Sequence, residues 1–198
     1  MRTAGVKRKT EETEVEVELN LDGVGRHEVS TTIKFLDHML AAFSRHGFFD
    51  LVVRAEGDLS HHIVEDTAIV LGKAFKKALG GQSAGSGESG RERSVRFGSA
   101  AVPMDESLAR CAVDIGGIGG EGRSYSVFEA EFGRERVEDF CTEDIPHFFH
   151  SFATHANFTL HLSAKGENEH HKVEAIFKAL GIALDHATRL EARREGRK

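Results

Sequence analysis

Two adjacent-histidine units, His61-His62-x-x-Glu65 and His170-His171-x-x-Glu174, stand 109 positions apart in this chain. The same offset also pairs His38 with His147, Phe43 with Phe152, His46 with His155, and Gly72 with Gly181. On a helix, positions i and i+4 share a face with Cβ atoms about 5–6 Å apart. His61 with Glu65, and His170 with Glu174, can therefore hold one divalent ion together at bond lengths of about 2.0–2.2 Å. The second histidine of each pair, His62 or His171, points roughly 100° away around the helix and is expected to serve a different ion. Two units thus imply two ions, completed across a pseudo-twofold or between subunits. His38 and His147 are expected to supply further nitrogens. Imidazole and carboxylate without a nearby cysteine suit Mn²⁺, Fe²⁺ or Zn²⁺. Histidines that only cap helices need not recur as a matched trio, whereas His46 and His155, near helix C-termini, are read as dipole partners as readily as ligands.

The elements that must carry these residues follow from periodicity. Residues 13–21 alternate apolar and polar side chains and predict a half-buried strand. Asp22-Gly23 turns into a second strand near 26–33, followed by a helix over 37–45, a strand over 48–55 and a longer helix over 61–79. Residues 80–90, rich in Gly and Ser, read as a linker. The second half predicts strands near 93–98, 106–115 and 124–132, a helix over 139–154, a strand over 157–164 and a helix over 169–190. Ser60 and Asn168 stand where helix caps belong, and residues 191–198 read as a charged, frayed tail. The expected fold class is α+β by internal duplication, one domain of halves at about 1–79 and 91–190. Each half is a four-stranded sheet with two helices on one face, and the halves pack through those helices.

Bulk composition narrows the function. The chain has 198 residues, 39% of them hydrophobic and 29% charged, which is ordinary for a globular protein without a membrane span. A net charge of -6 argues against a nucleic-acid partner. Two cysteines are too few for a disulfide framework, and the basic N-terminus lacks the apolar core of a secretory signal, so a cytoplasmic location is expected. Twelve histidines beside one Tyr and no Trp form the compositional anomaly that the metal reading explains.

Longer motifs carry a resemblance. Phe35-Leu36-Asp37-His38-Met39-Leu40, His61-His62-Ile63-Val64-Glu65-Asp66-Thr67-Ala68, Arg96-Phe97-Gly98 and Met104-Asp105-Glu106-Ser107-Leu108-Ala109 resemble imidazoleglycerol-phosphate dehydratase, as do His147-Phe148-Phe149 and the stretch from His170 to Ala179. The resemblance runs from Arg8 to about Thr188. It implies a histidine-biosynthesis lyase with two Mn²⁺ per active site, a fold like the second domain of ribosomal protein S5, and a homo-oligomer of 24 subunits with active sites at the interfaces. Carried over by position, it implies His38, His61, His62, Glu65, His147, His170, His171 and Glu174 as ligands. It further implies Arg96, Arg123 and Lys178 as contacts to the phosphate substrate, and Glu12 as an acidic residue beside it. Two departures stand out: the segment 114–123 is longer than the family's Ser-Gly-Arg turn, and the customary C-terminal Ser-x-Lys-Gly is replaced by Arg193-Arg194-Glu195-Gly196-Arg197-Lys198.

The implied reaction removes water from imidazole glycerol phosphate, and the proton lost sits on a carbon with no carbonyl to acidify it. A metal on a ring nitrogen would act as Lewis acid, with Glu174 moving the carbon-bound proton, through a diazafulvene-like intermediate, and Glu12 or Lys178 protonating the leaving hydroxyl. Arg96 and Arg123 would anchor the phosphate as planar forks. Residue chemistry alone also admits a two-metal phosphohydrolase or a non-catalytic metal-binding assembly.

Overall fold

The computed structural model describes residues 1–80, 94–117 and 124–192. The first half runs β1 (Thr3–Lys9), β2 (Thr13–Asn20), β3 (His27–Ser30), α1 (Lys34–Gly47), β4 (Asp50–Gly57) and α2 (Ser60–Gly80). The second runs β5 (Phe97–Met104), β6 (Ser107–Asp114), β7 (Tyr125–Glu129), a small hairpin of β8 (Arg136–Val137) and β9 (Phe140–Cys141), α3 (Asp144–Ala156), β10 (Thr159–Lys165) and α4 (Glu169–Thr188). The two sheets have matching orders, β1-β2-β4-β3 and β5-β6-β10-β7. In each, the last strand is parallel to its neighbour and the others are antiparallel. The duplicated α+β architecture is therefore as expected.

Alternation explains the central strands. Val15, Val17 and Leu19 of β2 and Ala109, Cys111 and Val113 of β6 are buried, and their intervening neighbours are not. Helices cover only the buried face, and they cross-pack: α1 lies against α4 and α2 against α3, so each helix pair joins one half to the other. The seam is aromatic. Phe152 of α3 meets Phe75 of α2 at 5.4 Å and Phe43 of α1 at 6.3 Å, both edge-on, and Phe148 meets Phe177 of α4 at 5.5 Å. Two glycines 109 positions apart let the helices approach. A Cβ on Gly72 would stand 2.7 Å from the Phe152 carbonyl oxygen, and one on Gly181 would stand 2.6 Å from that of Phe43.

Four expectations change. The strand β1 was not foreseen: it is a charged edge strand with only Ala4 buried, and its lysines pair with Glu14. The strand expected at 93–98 begins at Phe97 and runs to Met104. It too is an edge strand, so Pro103 needs no ladder partner for its missing N–H. The chain after Asp22-Gly23 does not form a hairpin with β2, because β3 crosses to the far side of β4 and pairs with it in parallel. The helix expected from 139 begins at Asp144, after the β8–β9 hairpin, with Pro146 in its first turn, where a proline is tolerated. Most of the Gly/Ser linker and the tail from 193 onward lie outside the described residues.

Candidate metal centre

The i, i+4 pairs are helical and each gains a third donor from the opposite half. His61 and Glu65 on the first turns of α2 meet His147 of α3, and His170 and Glu174 on α4 meet His38 of α1. Within each trio the donor atoms all lie within 4.8 Å of one another. The trios exist because of the cross-packing, since α2 sits on α3 and α4 on α1.

The two trios are held by local chemistry that the alternation pattern does not carry. Asn168 caps α4 as expected, its side chain accepting from the His170 and His171 amides. Ser60 does not cap α2 but is its first helical residue. The N-terminus of α1 has no side-chain cap from its own N-cap residue; the Asp139 carboxylate, in the β8–β9 turn of the other half, accepts from the Lys34 and Phe35 amides at 2.6 and 2.9 Å. His38 follows one turn later.

Donor chemistry fits a divalent ion. The Nε2 atom of His147 is buried and makes no hydrogen bond, although Glu65 Oε1 lies 3.3 Å away. Two close donors that are not bonded to each other share a space as ligands of one ion do. In the other trio Glu174 Oε2 lies 3.4 Å from His38 Nε2 and 3.3 Å from His170 Nε2, while Oε1 pairs with Lys178 Nζ at 2.8 Å. Burial pushes the Glu174 carboxyl upward, but the Lys178 ammonium and His38 outweigh it and hold the group below its usual range. It is anionic at neutral pH, as a ligand must be.

His62 and His171 stand outside both trios. His62 Nδ1 lies 2.8 Å from Asp58 Oδ1 and 3.7 Å from Glu12 Oε2. The Asp58 hydrogen bond raises the His62 pKa, against partial desolvation. His171 Nδ1 lies 3.0 Å from Glu106 Oε2. Hydrogen bonds from His171, Ser107 and the Asn168 amide hold the Glu106 carboxyl well below the ordinary carboxylate range. Glu12 thus sits beside the first unit and Lys178 beside the second trio, not together.

Arg96 is elsewhere. Its backbone N–H donates to the Ala187 carbonyl near the C-terminus of α4, whereas Glu174 lies near the N-terminus. Thirteen residues of helix separate those positions, roughly 20 Å at 1.5 Å per residue. The guanidinium is exposed and holds Asp114 through two bonds of 2.8 and 3.0 Å. Arg123 lies outside the described residues. Sequence reasoning missed Asp144, Asp58 and Asp139. Asp144 was detectable as a mismatch in the repeat, since it occupies the position equivalent to Phe35.

The chain is similar to known proteins over nearly its whole length. The family model described as imidazoleglycerol-phosphate dehydratase matches residues 31–184. A curated protein of that name from Methanosarcina barkeri is 49% identical over 196 residues, covering 98% of this chain and 95% of its own. One from Halobacterium salinarum is 46% identical, covering 98% and 94%. The crystal structure of the Staphylococcus aureus enzyme superposes with a TM-score of 0.81 at 33% identity, covering 96% of this chain and 99% of that one. That of the Pyrococcus furiosus enzyme gives 0.78 at 34%, covering 96% and 97%. Carrying two cross-built histidine–carboxylate trios on a duplicated α+β frame, the chain belongs to the imidazoleglycerol-phosphate dehydratase family.

Proposed function

We propose that this protein dehydrates imidazole glycerol phosphate to imidazole acetol phosphate in histidine biosynthesis, using Mn²⁺ held by the two trios. The observation that carries the reading is the pair of pseudo-equivalent His₂Glu groups, each assembled from both halves of a chain with these relatives. His61, Glu65 and His147 would hold one ion, and His38, His170 and Glu174 the other. When bound, the ion supplies Lewis acidity toward an azole nitrogen.

The remaining work falls to side chains of the protein. Glu174 carries the proton from the carbon beside the ring, and its Oε1 partner Lys178 hands a proton to the departing hydroxyl, so that water leaves. Glu12, exposed on the β1–β2 turn, faces the same chemistry from beside His62. Arg96 and Arg123 hold the phosphate.

An active site between subunits reconciles these assignments. Arg96 is roughly 20 Å along α4 from Glu174, and Glu12 and Lys178 flank different trios. His62 and His171, each with Nδ1 engaged by a carboxylate, leave Nε2 for an ion of a neighbouring copy. This is the arrangement of a homo-oligomer, on the family's pattern a 24-subunit one.

The test pairs a product assay with a size measurement. Water should be lost with phosphate retained on the product, and a chelator should shrink the assembly and abolish turnover. Release of inorganic phosphate would instead indicate a phosphohydrolase, and metal uptake without saturable turnover a binding assembly. Glu174→Gln should lower kcat by at least about 10²-fold with little change in phosphate affinity; near-normal turnover with metal bound would remove Glu174 from the proton transfer.

A further inference from the structure

The two trios are equivalent by position but not by charge. Asp144 on α3 is only 3% exposed, and its Oδ1 lies 2.6 Å from His61 Nδ1. At the equivalent place in the other half stands Phe35, whose ring packs 4.8 Å from that of His170. There the nearest carboxylate to His170 Nδ1 is Glu138, 3.5 Å away and 64% exposed. A second substitution points the same way. Lys178 pairs with Glu174 in the α1–α4 trio, and its equivalent beside Glu65 is the uncharged Ile69.

These differences act on a dication in one direction. Asp144 is the first residue of α3, so its side chain stands at the positive end of that helix and against His61. With Nδ1 of His61 engaged, only Nε2 is free to ligate, and a hydrogen-bonded carboxylate makes that nitrogen more basic. With Asp144 counted, the α2–α3 site therefore has two buried or half-buried carboxylates, and among the described residues neither pairs with a lysine or arginine. The α1–α4 trio contains one such carboxylate neutralised by an ammonium.

We infer that the two metal sites are inequivalent: the His61–Glu65–His147 site, oriented by Asp144, fills first, and the His38–His170–Glu174 site fills at higher metal concentration. This rests on the trios being metal sites, as proposed above. Asp144 is a positioning residue, acting through His61 without touching substrate. Loss of such a partner lowers metal affinity about 10–100-fold.

The experiment titrates Mn²⁺ into the chelator-stripped full-length protein, reading free Mn²⁺ by electron paramagnetic resonance. The wild type should show two equal classes of site at least about tenfold apart in Kd. Asp144→Asn should weaken the tighter class about 10–100-fold and leave the other in place, with the metal-free Tm little changed. His147→Gln, which removes a ligand, should abolish the tighter class and so assign it, whatever the fate of the Asp144 variant. A wild type that takes up no Mn²⁺ would end the functional reading itself. A single class in the wild type, equal weakening of both classes by Asp144→Asn, or survival of the tight class in His147→Gln would overturn this inference alone.

Discussion

Gly72→Ala is the sharpest probe of the cross-packing that builds the trios. Alanine is favoured over glycine inside a helix by about 1 kcal/mol, so on propensity alone the change should stabilise α2. The new Cβ, however, would stand 2.7 Å from the Phe152 carbonyl oxygen, 2.9 Å from the Ala156 nitrogen and 3.0 Å from His155 Cβ. Two of the three are backbone atoms of α3, which cannot swing aside as a side chain would. Overpacking of this kind costs about 1–3 kcal/mol, leaving a net destabilisation of roughly 0–2 kcal/mol. For a domain of this size each kcal/mol lowers Tm by about 2–4 °C. The α2–α3 pair also carries His61, Glu65 and His147, so moving α3 outward should weaken Mn²⁺ binding at that trio. Gly181→Ala should do the same to the α1–α4 trio, because its Cβ would meet the Phe43 carbonyl oxygen at 2.6 Å. Gly80→Ala, where no described residue beyond its own stretch of helix comes within 4 Å of the added Cβ, is the control and should be neutral or slightly stabilising. Thermal unfolding in chelator, followed by Mn²⁺ titration, reads both effects. A Gly72→Ala protein about 1 kcal/mol more stable than wild type with unchanged metal binding would refute the close helix contact.

Three further outcomes are expected. Asp139→Ala removes the acceptor for the Lys34 and Phe35 amides and should cost about 1 kcal/mol in chemical unfolding; an unchanged midpoint would mean that water caps α1 equally well. The Asp50 carboxyl is held below its usual value, chiefly by the Val24 amide and also by that of Arg26. Because its folded pKa is depressed, its contribution is present above the unfolded value near 4 and is lost as pH falls through the lower folded one. Asp50→Asn should therefore flatten the acid limb of stability against pH, and an unaltered slope between about pH 5 and 2 would remove Asp50 as a source. Burial pushes the Cys111 thiol far up, whereas Cys141 is only half-buried. A thiol reagent should modify Cys141 alone in the native protein and both cysteines in denaturant; rapid native labelling of Cys111 would contradict its place inside the second sheet.

Much of the frame was readable because burial imposes a period. The central strands β2 and β6 alternate because one face is covered, and α2 and α4 show their apolar stripes for the same reason. The edge strand β1 escaped, and β5 was placed too early, because an edge needs charge or small residues more than a hydrophobic face. The position of β3 escaped because strand neighbours are chosen by the whole sheet, not by the turn that precedes them. Similarity of type located the histidines and glutamates of both trios, but it hides Asp144, whose interest lies in its not matching Phe35.

The chain's own order of residues determined the i, i+4 pairing of His61 with Glu65 and of His170 with Glu174, because helix geometry is local and needs no knowledge of the rest of the molecule. It equally determined that His62 and His171 face away. Which third histidine joins each pair was decided only in three dimensions. His38 meets α4, and His147 meets α2, because two apolar helix layers can be hidden only against each other, and that packing exchanges partners between the halves. The separation of Arg96 from Glu174 was decided in the same way: contacts among residues distant in sequence follow from how buried faces are shared.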